Sequence, residues 1–599
     1  MVLIINITMA PPPRDITLSS TSQQLSQATG DEEATLTFRE TLMDEIQLNE
    51  CDYMNLNFLG NIQGDASNVA FVSYPNLEIV AMDTKFRELA FMKERVRDDD
   101  IILGKSAQRF MPSSMFNKVE KAIEDMIKAS LLREFVFDWD NDTFYSLCVS
   151  TTTTDIQKDT LFSIEIEILD EMAMLDICAE RDTLSRTLTN IGRALDLCST
   201  GEEAAKVACD AVFKILGDNA YDRGMVYIFH DDLSGEVIHE IKKEDLKSSY
   251  YGMHFPASDV PRSARLLYQK NVVRFIQNVD GQDIPIVSNR TAPIDLTQVR
   301  SRCVHKCHLI YCRGMGIKCC MSLALVSQGE LWGLLSFHGY TAPFKPSLHQ
   351  LIACEAIAAC VSARVMQNVK KEKSTRLMLM GQLFQKWDPT ANVLENLHVL
   401  GDQVVNVMEA DVLAARVKSD KSAVWSVAKG NMELLPRGLF WEKMSEQVPT
   451  YGLCVKSTKK TVKELDLTDV NCPGSDFVFI RNDKIEIMIG RAYRERDVVW
   501  AGDPDTPKIN IGGLLHPRAS FEAQLEKAKR DANPFDTLDQ QLAELLCDLI
   551  FRKESNTWAL SLLQEKDIQM NIFKSFNAVE DDRNSTGNQM LGKFRNRAA

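Results

Sequence analysis

The sequence predicts an α+β protein of several domains joined by long helices, on three observations. At 599 residues the chain exceeds one core, since single cores stop growing at about 250–300 residues. Short runs of period-two hydrophobicity recur between helical stretches along most of its length. Ser347–Trp387 carries no Pro and a single Gly, Gly381, which predicts one helix of about 40 residues and about 60 Å. A helix of that length bridges domains.

Taken in order, residues 1–38 are rich in Ser, Thr, Gln and Pro and nearly free of aromatics, so they are expected to be disordered. Alternating runs such as Val69–Ser73 and Phe162–Ile166 flank helical stretches and predict a first α+β domain over 39–170. A second domain is expected over 171–370. Ser199-Thr200-Gly201-Glu202-Glu203 has the form of a capping box opening a helix toward Leu216. Met225–Phe229 and Glu236–His239 read as strands, and Met321–Val326 with Leu331–His338 as a hairpin around Gln328-Gly329. In its second strand Trp332, Leu334, Ser336 and His338 share one face. Leu351, Cys354, Ala358, Val361, Val365 and Val369 form the stripe of the long helix, which Asp388-Pro389 stops. A third α+β domain is expected over 371–575. Its last helix carries Leu538, Leu542, Leu545 and Leu549, a pattern that fits a partner-helix seam. Residues 576–599 are polar and expected to be a mobile tail.

Composition excludes several classes. The net charge of −16, from 84 acidic and 68 basic residues, argues against a nucleic-acid surface. Fifteen scattered cysteines fit free, reduced thiols in a cytoplasmic protein, and no CxxC pairs with another at zinc spacing. Val2–Met9 is short, lacks a basic flank and runs into Pro11-Pro12-Pro13, so it does not read as a secretion signal. No run of about 18 apolar residues predicts a membrane span.

The most distinctive segment is Phe255-Pro256-Ala257-Ser258-Asp259-Val260-Pro261. Two prolines bracket an Asp, fix the backbone on both sides and leave carbonyls without helix or ladder partners. Such a turn suits the donors of a ligand ring, although a Pro-rich loop is the ordinary alternative. Arg274 and Arg302, with Tyr268 and Ser322, suit carboxylate recognition, because a guanidinium fork matches the anion; surface arginine is the commoner case. His308 and His338 lie in apolar surroundings, where a buried neutral His is the ordinary alternative.

The ordered motifs resemble those of the phytochrome family. Phe255–Pro261 is similar to its PASD-type turn. Cys307-His308-Leu309-Ile310-Tyr311, followed by Arg313-Gly314-Met315-Gly316, resembles its CHLxYLxNMG stretch, and Leu331–His338 its LWGLIACH strand. Trp500-Ala501-Gly502 and Pro517-Arg518-Ala519-Ser520-Phe521 resemble the WxG and PRxSF marks of the phytochrome tongue. The resemblance implies PAS, GAF and PHY domains in that order, each an antiparallel sheet flanked by helices, with a tongue at about 490–525.

It also implies roles. The Asp259 carbonyl and His308 would hold pyrrole N–H groups through a shared water. Arg274 with Tyr268, and Arg302, would bind one propionate, and Ser322 would help with the other. His338 would bond the D-ring carbonyl, and Tyr227, Phe255 and Tyr311 would wall that ring. Arg518 would pair with the Asp259 carboxylate and exchange with Ser520 after illumination, with Trp500 part of the same switch. The polar segment after Val279 would form a lasso around the N-terminal segment. Departures lie at Cys320, where many relatives carry Ser, at Ile62-Gln63-Gly64-Asp65-Ala66, which replaces an IQPHG run, and at Gly339, which replaces a second His. Two thiols compete for the covalent bond: Cys51, the position of biliverdin attachment in bacterial and fungal types, and Cys307, the position for phycocyanobilin or phytochromobilin in plant and cyanobacterial types. Biliverdin on Cys51 is the favoured expectation.

The resemblance implies a red/far-red photoreceptor acting as a homodimer through its long helices, without binding nucleic acid or membrane. No phosphoacceptor helix or ATP-binding glycine boxes follow residue 550, so the sensory half of a sensor histidine kinase is expected, without catalysis of its own. Two rivals remain. A GAF-type module binding a cyclic nucleotide would need a phosphate-cradling loop and no Pro-Arg-x-Ser-Phe tongue; an enzyme would need a nucleophile–base pair or metal cluster that the sequence does not show.

Overall fold

The computed structural model describes residues 55–169, 186–417, 426–435, 452–457 and 474–551, except 65, 98–99, 141–142, 218–219, 231, 328, 482–483, 507, 512–513, 519, 532–534 and 536. Cys51, the expected N-terminal extension and the expected tail lie outside them. The described residues belong to two compact units. One is built on Thr41–Val369 with Asp497–Lys527, the other on Lys370–Arg496 with the chain from Ala528.

The first unit begins with seven strands: β1 (Asn61–Gln63), β2 (Asn68–Ser73), β3 (Glu78–Asp83), β4 (Lys105–Ser106), β5 (Arg133–Asp140), β6 (Thr143–Thr151) and β7 (Leu161–Leu169). Helices α1 (Ala90–Arg95) and α2 (Ser113–Ala129) lie among them. On α2 the residues Met115, Phe116, Val119, Ile123 and Met126 recur at helical spacing and are buried, and Ser130 ends the helix in the left-handed region, φ 53°. They pack on Phe162, Ile164 and Ile166 of β7, the period-two face read from the sequence.

The chain continues through α3 (Gly201–Leu216), β8 (Arg223–Phe229), β9 (Gly235–Lys242), β10 (Met253–Phe255), α4 (Arg262–Lys270), β11 (Val273–Ile276), β12 (Asp283–Ser288), α5 (Lys306–Gly314), β13 (Cys319–Ser327), β14 (Glu330–Gly339) and α6 (Leu348–Lys386). Thr200 and Glu203 close the capping box on α3: the Thr200 hydroxyl accepts from the Glu203 N–H at 3.1 Å, and Glu203 accepts from the Thr200 N–H at 3.3 Å. Leu351, Cys354, Ala358, Val361 and Val365 of α6 enter one core with α3 and with Leu335 and Phe337 of β14. By length and composition α6 could cross a bilayer, but its apolar stripe is used in packing.

The sequential domains are not closed in space. β12 leaves its own region and joins the first sheet, whose order is β1-β12-β3-β2-β7-β6-β5, with β4 on β3. Residues 275–303 grip β1 from both sides. Ile62 pairs with Ile284, Gln63 donates to the carbonyls of Phe275 (3.0 Å) and Arg302 (3.3 Å), and the Cys303 N–H bonds the Asn61 carbonyl at 3.0 Å. Buried Glu165 of β7 accepts from the N–H groups of Arg300 and Ser301 and from the Ser301 hydroxyl at 2.8–3.1 Å.

In the second unit β15 (Val412–Val417), β16 (Val427–Gly430), β17 (Gly452–Ser457), β18 (Gly474–Arg481) and β19 (Ile485–Ala492) form a sheet in the order β16-β15-β19-β18-β17. Helices α7 (Val393–Val407) and α8 (Thr537–Phe551) pack on it with the end of α6. Leu542 of α8 is buried in this core and Leu538, Leu545 and Leu549 pack against it, so the stripe read as a partner seam is covered by its own domain. A buried carboxylate ties the layers together. Asp539, fully inaccessible, meets Arg491 of β19 at 2.8 and 2.9 Å and also pairs with Arg376 of α6. The two guanidiniums additionally donate to the carbonyls of Val407, Met408 and Glu409.

The last strands, β20 (Arg494–Ala501), β21 (Ile509–Ile511), β22 (Leu514–His516) and β23 (Ala523–Asp531), lie over the stretch read from the sequence as a tongue. β21 and β22 make a two-stranded ladder; β20 and β23 extend the second sheet, β11-β13-β14-β8-β9-β10-β20-β23. β10 and β20 pair in parallel, with Met253 opposite Val499 and His254 opposite Trp500. The sheet is therefore not wholly antiparallel as expected, because its edge is completed by a segment returning from far along the chain, not by a hairpin.

Candidate functional site

The Pro-bracketed turn is built as its chemistry requires. Pro256 (φ −65°) and Pro261 (φ −62°) hold a 3₁₀ turn, Ala257–Asp259, between β10 and α4. Two cations take up the carbonyls left over. Arg265 donates to Val260 (2.6 Å) and Ala257 (3.3 Å), and Lys508 of the tongue donates to Ser258 at 2.6 Å. Neither was singled out from the sequence. Arg265 had a local signal, a base one turn into the helix that Pro261 opens; Lys508 had none.

The Asp259 carboxylate sits at the centre. Arg518 Nη2 lies 2.5 Å from its Oδ2, with the two side chains 4% and 5% exposed, and the Tyr311 hydroxyl donates to the same oxygen at 2.8 Å. Burial pushes the Asp259 carboxyl above its ordinary range, against the pull of Arg518, Tyr311 and Lys508. The Tyr311 phenol, raised by burial and by Asp259, stays protonated and donates.

A wall of aromatic rings surrounds this pair. Tyr227 and Phe255 stand 5.9 Å apart, Tyr311 packs edge-on against Phe521 of the tongue at 5.0 Å, and His308 stacks on Tyr311 at 6.0 Å. The Arg518 guanidinium lies over Phe521 (5.0 Å) and Phe255 (5.9 Å).

β11 and β13 carry the second wall. Arg274 and Ser322 are directly paired in the ladder, and Ser322 bonds the Tyr268 side chain. Arg274 donates to the carbonyls of Arg302 (2.8 Å) and Cys303 (2.9 Å), and Arg302 is itself buried. Among the described residues neither guanidinium has a carboxylate within ion-pair distance. Burial lowers the pKa of Arg274, and burial together with the neighbouring Arg274 lowers that of Arg302 further. A buried and a partly buried cation, adjacent and held by carbonyls, make a site for an anion.

His338 lies on β14 opposite Cys320, with Ser336 (3.2 Å) and the Tyr340 hydroxyl (3.4 Å) at its two ring nitrogens. Burial, with Arg223 and His308 nearby, lowers its pKa to about 3, so the ring is neutral at physiological pH and carries one N–H. Cys320 belongs to a group with Cys312 and His308, whose Nε2 is 3.7 Å from the Cys312 sulfur.

The remaining expected residues bond to other groups. Cys307 is buried at the start of α5, where its N–H caps onto His305 Nδ1 at 3.3 Å. Trp500 packs on His254 at 5.8 Å and donates to Glu526 at 2.7 Å, away from Asp259. Ser520 is exposed and its hydroxyl accepts from the Glu522 N–H at 3.3 Å; it makes no bond to Asp259. Gly502 has φ +86°, and a Cβ there would meet the Ser520 carbonyl oxygen at 2.1 Å, so the Trp-x-Gly glycine lets the two arms of the tongue approach beside Arg518.

Comparison with known proteins matches two regions of the chain. Residues 200–365 match the GAF domain family, and residues 377–555 match the phytochrome region. The chain is 29% identical over 346 residues to phytochrome E of Arabidopsis thaliana, covering 55% of this chain and 30% of that protein. It is 26% identical over 389 residues to cyanobacterial phytochrome B of Nostoc sp., covering 62% and 50%. It thus spans half or less of these relatives. Among solved structures it resembles a bacteriophytochrome from R. palustris (TM-score 0.64, 23% identity, 84% of this chain and 99% of that one). It also resembles the phytochrome photosensory core module of Stigmatella aurantiaca (TM-score 0.63, 20% identity, 85% and 99%). With the two family regions in order and the Asp259–Arg518 contact reaching from one to the tongue of the other, the chain belongs to the phytochrome family.

Proposed function

We propose that this chain is a red/far-red photoreceptor that holds a linear tetrapyrrole between the Asp259 turn, the aromatic wall and the arginine wall. The observation that carries this reading is the adjacent pair of guanidiniums, Arg302 buried and Arg274 partly buried, which a tetrapyrrole's propionates would neutralise. Nothing favours a cyclic nucleotide. When bound, the bilin supplies light absorption and isomerisation of the methine bridge between rings C and D. Arg274, Arg302, Tyr268 and Ser322 anchor the propionates. The Asp259 carbonyl and His308 would hold the pyrrole N–H groups through a shared water. Neutral His338 has one N–H to offer the D-ring carbonyl, and Tyr227, Phe255 and Tyr311 close around that ring. Residues 39–170 act as the PAS domain. The chain senses without catalysing, in the cytoplasm, as a homodimer through its long helices. The test is spectral: protein loaded with bilin should change colour reversibly under alternating red and far-red light, and a colourless or light-inert complex would reject the proposal.

We assign biliverdin to Cys51, and two variants test this. Cys51→Ala should abolish the zinc-fluorescent band of denatured, biliverdin-loaded protein, and Cys307→Ala should keep it. The burial of Cys307 at the start of α5 supports this order; the reverse outcome would indicate a plant-type bilin.

Anchoring should be separable from photochemistry. Arg274→Ala removes a charge-assisted pair of about 1.5–3 kcal/mol, so bilin affinity should fall roughly tenfold to a hundredfold while the adduct stays photoactive. A binding titration showing unchanged affinity would remove Arg274 from the site.

A further inference from the structure

A second cluster lies outside the proposed bilin site, where the tongue joins the sheet. His230 follows β8, Glu236 lies on β9 and His254 on β10, with Glu236 and His254 directly paired in the ladder. Glu236 Oε2 is 3.0 Å from His230 Nε2 and 3.6 Å from His254 Nε2, and one donor atom from each residue falls within 4.8 Å of the others. The two imidazoles lie nearly parallel, with centroids 5.3 Å apart and planes at 19°, so both present Nε2 to the same carboxylate. A tetrahedral zinc-class ion with bonds of about 2.0–2.2 Å to nitrogen and oxygen separates its donors by about 3.3–3.6 Å, close to the spacing already present. The cluster is half-buried: the His230 and Glu236 side chains are 24% and 25% exposed and His254 is 6% exposed. An ion could therefore enter from the His230 side.

We propose that His230, Glu236 and His254 form a site for one zinc-class divalent cation at the base of the tongue. Two imidazoles and one carboxylate are the ligand set of three-ligand zinc centres, with the fourth position left to solvent. His254 pairs with Trp500 in the β10–β20 ladder and packs on its indole, so an ion held by His254 braces the strand on which the tongue is seated. This link to the tongue rests on the photoreceptor reading; occupancy of the metal site does not.

The test uses bilin-loaded protein equilibrated with zinc chloride, desalted and assayed for zinc by mass spectrometry. One zinc per chain is expected, falling at least tenfold in His230→Gln and in Glu236→Gln and remaining in Cys312→Ser, which disables the His308–Cys312–Cys320 group instead. Thermal melts keep the result readable if a variant folds poorly: zinc should raise the Tm of wild type and Cys312→Ser but not of the two ligand variants. Absence of retained zinc, or zinc lost in Cys312→Ser and kept in Glu236→Gln, would overturn the site. If zinc binds as expected while the loaded protein is light-inert, the metal site stands and the photoreceptor reading fails.

Discussion

Arg518→Ala should bind bilin normally yet form its illuminated state poorly or lose it quickly. The Asp259–Arg518 contact is nearly dry, with both side chains 5% exposed or less, so deleting the cation leaves a buried carboxylate supported only by Tyr311 and Lys508. Breaking a buried pair costs about 3–5 kcal/mol, enough to shift a two-state tongue by a factor of a hundred or more. Asp259→Ala should act likewise. The double variant should be no worse than either single one, because all three remove the same interaction. Flash photolysis and dark-reversion rates give the numbers; strictly additive losses would mean that the residues act separately. pH provides an independent handle. Because burial raises the Asp259 value, the carboxylate takes its proton on acidification earlier than an ordinary Asp would, and the ion pair is present above that raised value and lost below it. The linked stability term has the opposite sign: the fold favours protonated Asp259, so this term is full below the ordinary carboxylate value and is lost as pH rises through the raised one. Wild type at mildly acid pH should therefore drift toward the kinetics of Arg518→Ala, and Arg518→Ala itself should lose that pH dependence.

Asp539→Ala should be the most damaging single change in the second unit. Asp539 is fully buried and serves Arg376 of α6 and Arg491 of β19 together, with the Arg491 guanidinium also over the Phe535 ring at 4.2 Å. Removing it takes the buried counter-ion from both guanidiniums and leaves Arg376 with the half-exposed Glu409 carboxylate at 3.7 Å, a loss of about 3–5 kcal/mol. The midpoint of unfolding followed by far-UV circular dichroism should fall accordingly, while bilin loading, which depends on residues of the other unit, should persist. A loss below about 1 kcal/mol would mean that water reaches the cluster.

What could be read from the sequence follows the range of the physics involved. The capping box at Thr200 and Glu203, the 319–339 hairpin and the long helix are local, set by hydrogen bonds and periodicity within a few turns, and the structure has all three. Capture of β12 by the first sheet, the parallel β10–β20 pair and the use of the α8 leucines inside their own domain are choices of partner, which periodicity does not encode. At the site, the Pro-bracketed turn stood out through its own backbone chemistry. Lys508, 250 residues from the Ser258 carbonyl that it serves, looked like any surface lysine. Arg274 and Arg302 suited a carboxylate from the sequence, where surface arginine was the commoner alternative; that alternative fell when the structure placed them side by side, with no carboxylate in ion-pair distance among the described residues.

The grip of residues 275–303 on β1 has a kinetic consequence. Gln63 finds its partners 212 and 239 residues later in the chain, so β1 leaves the ribosome long before anything exists to hold it. Such high contact order makes closure slow, since the entropy of a loop of that size is spent before the pairing returns any stability. Refolding from denaturant should accordingly show a late phase in which the first sheet and the second become protected together, and a chain lacking β1 should fold faster but leave Ile284, Ile294 and Leu296 without the Ile62 side chain that completes their cluster.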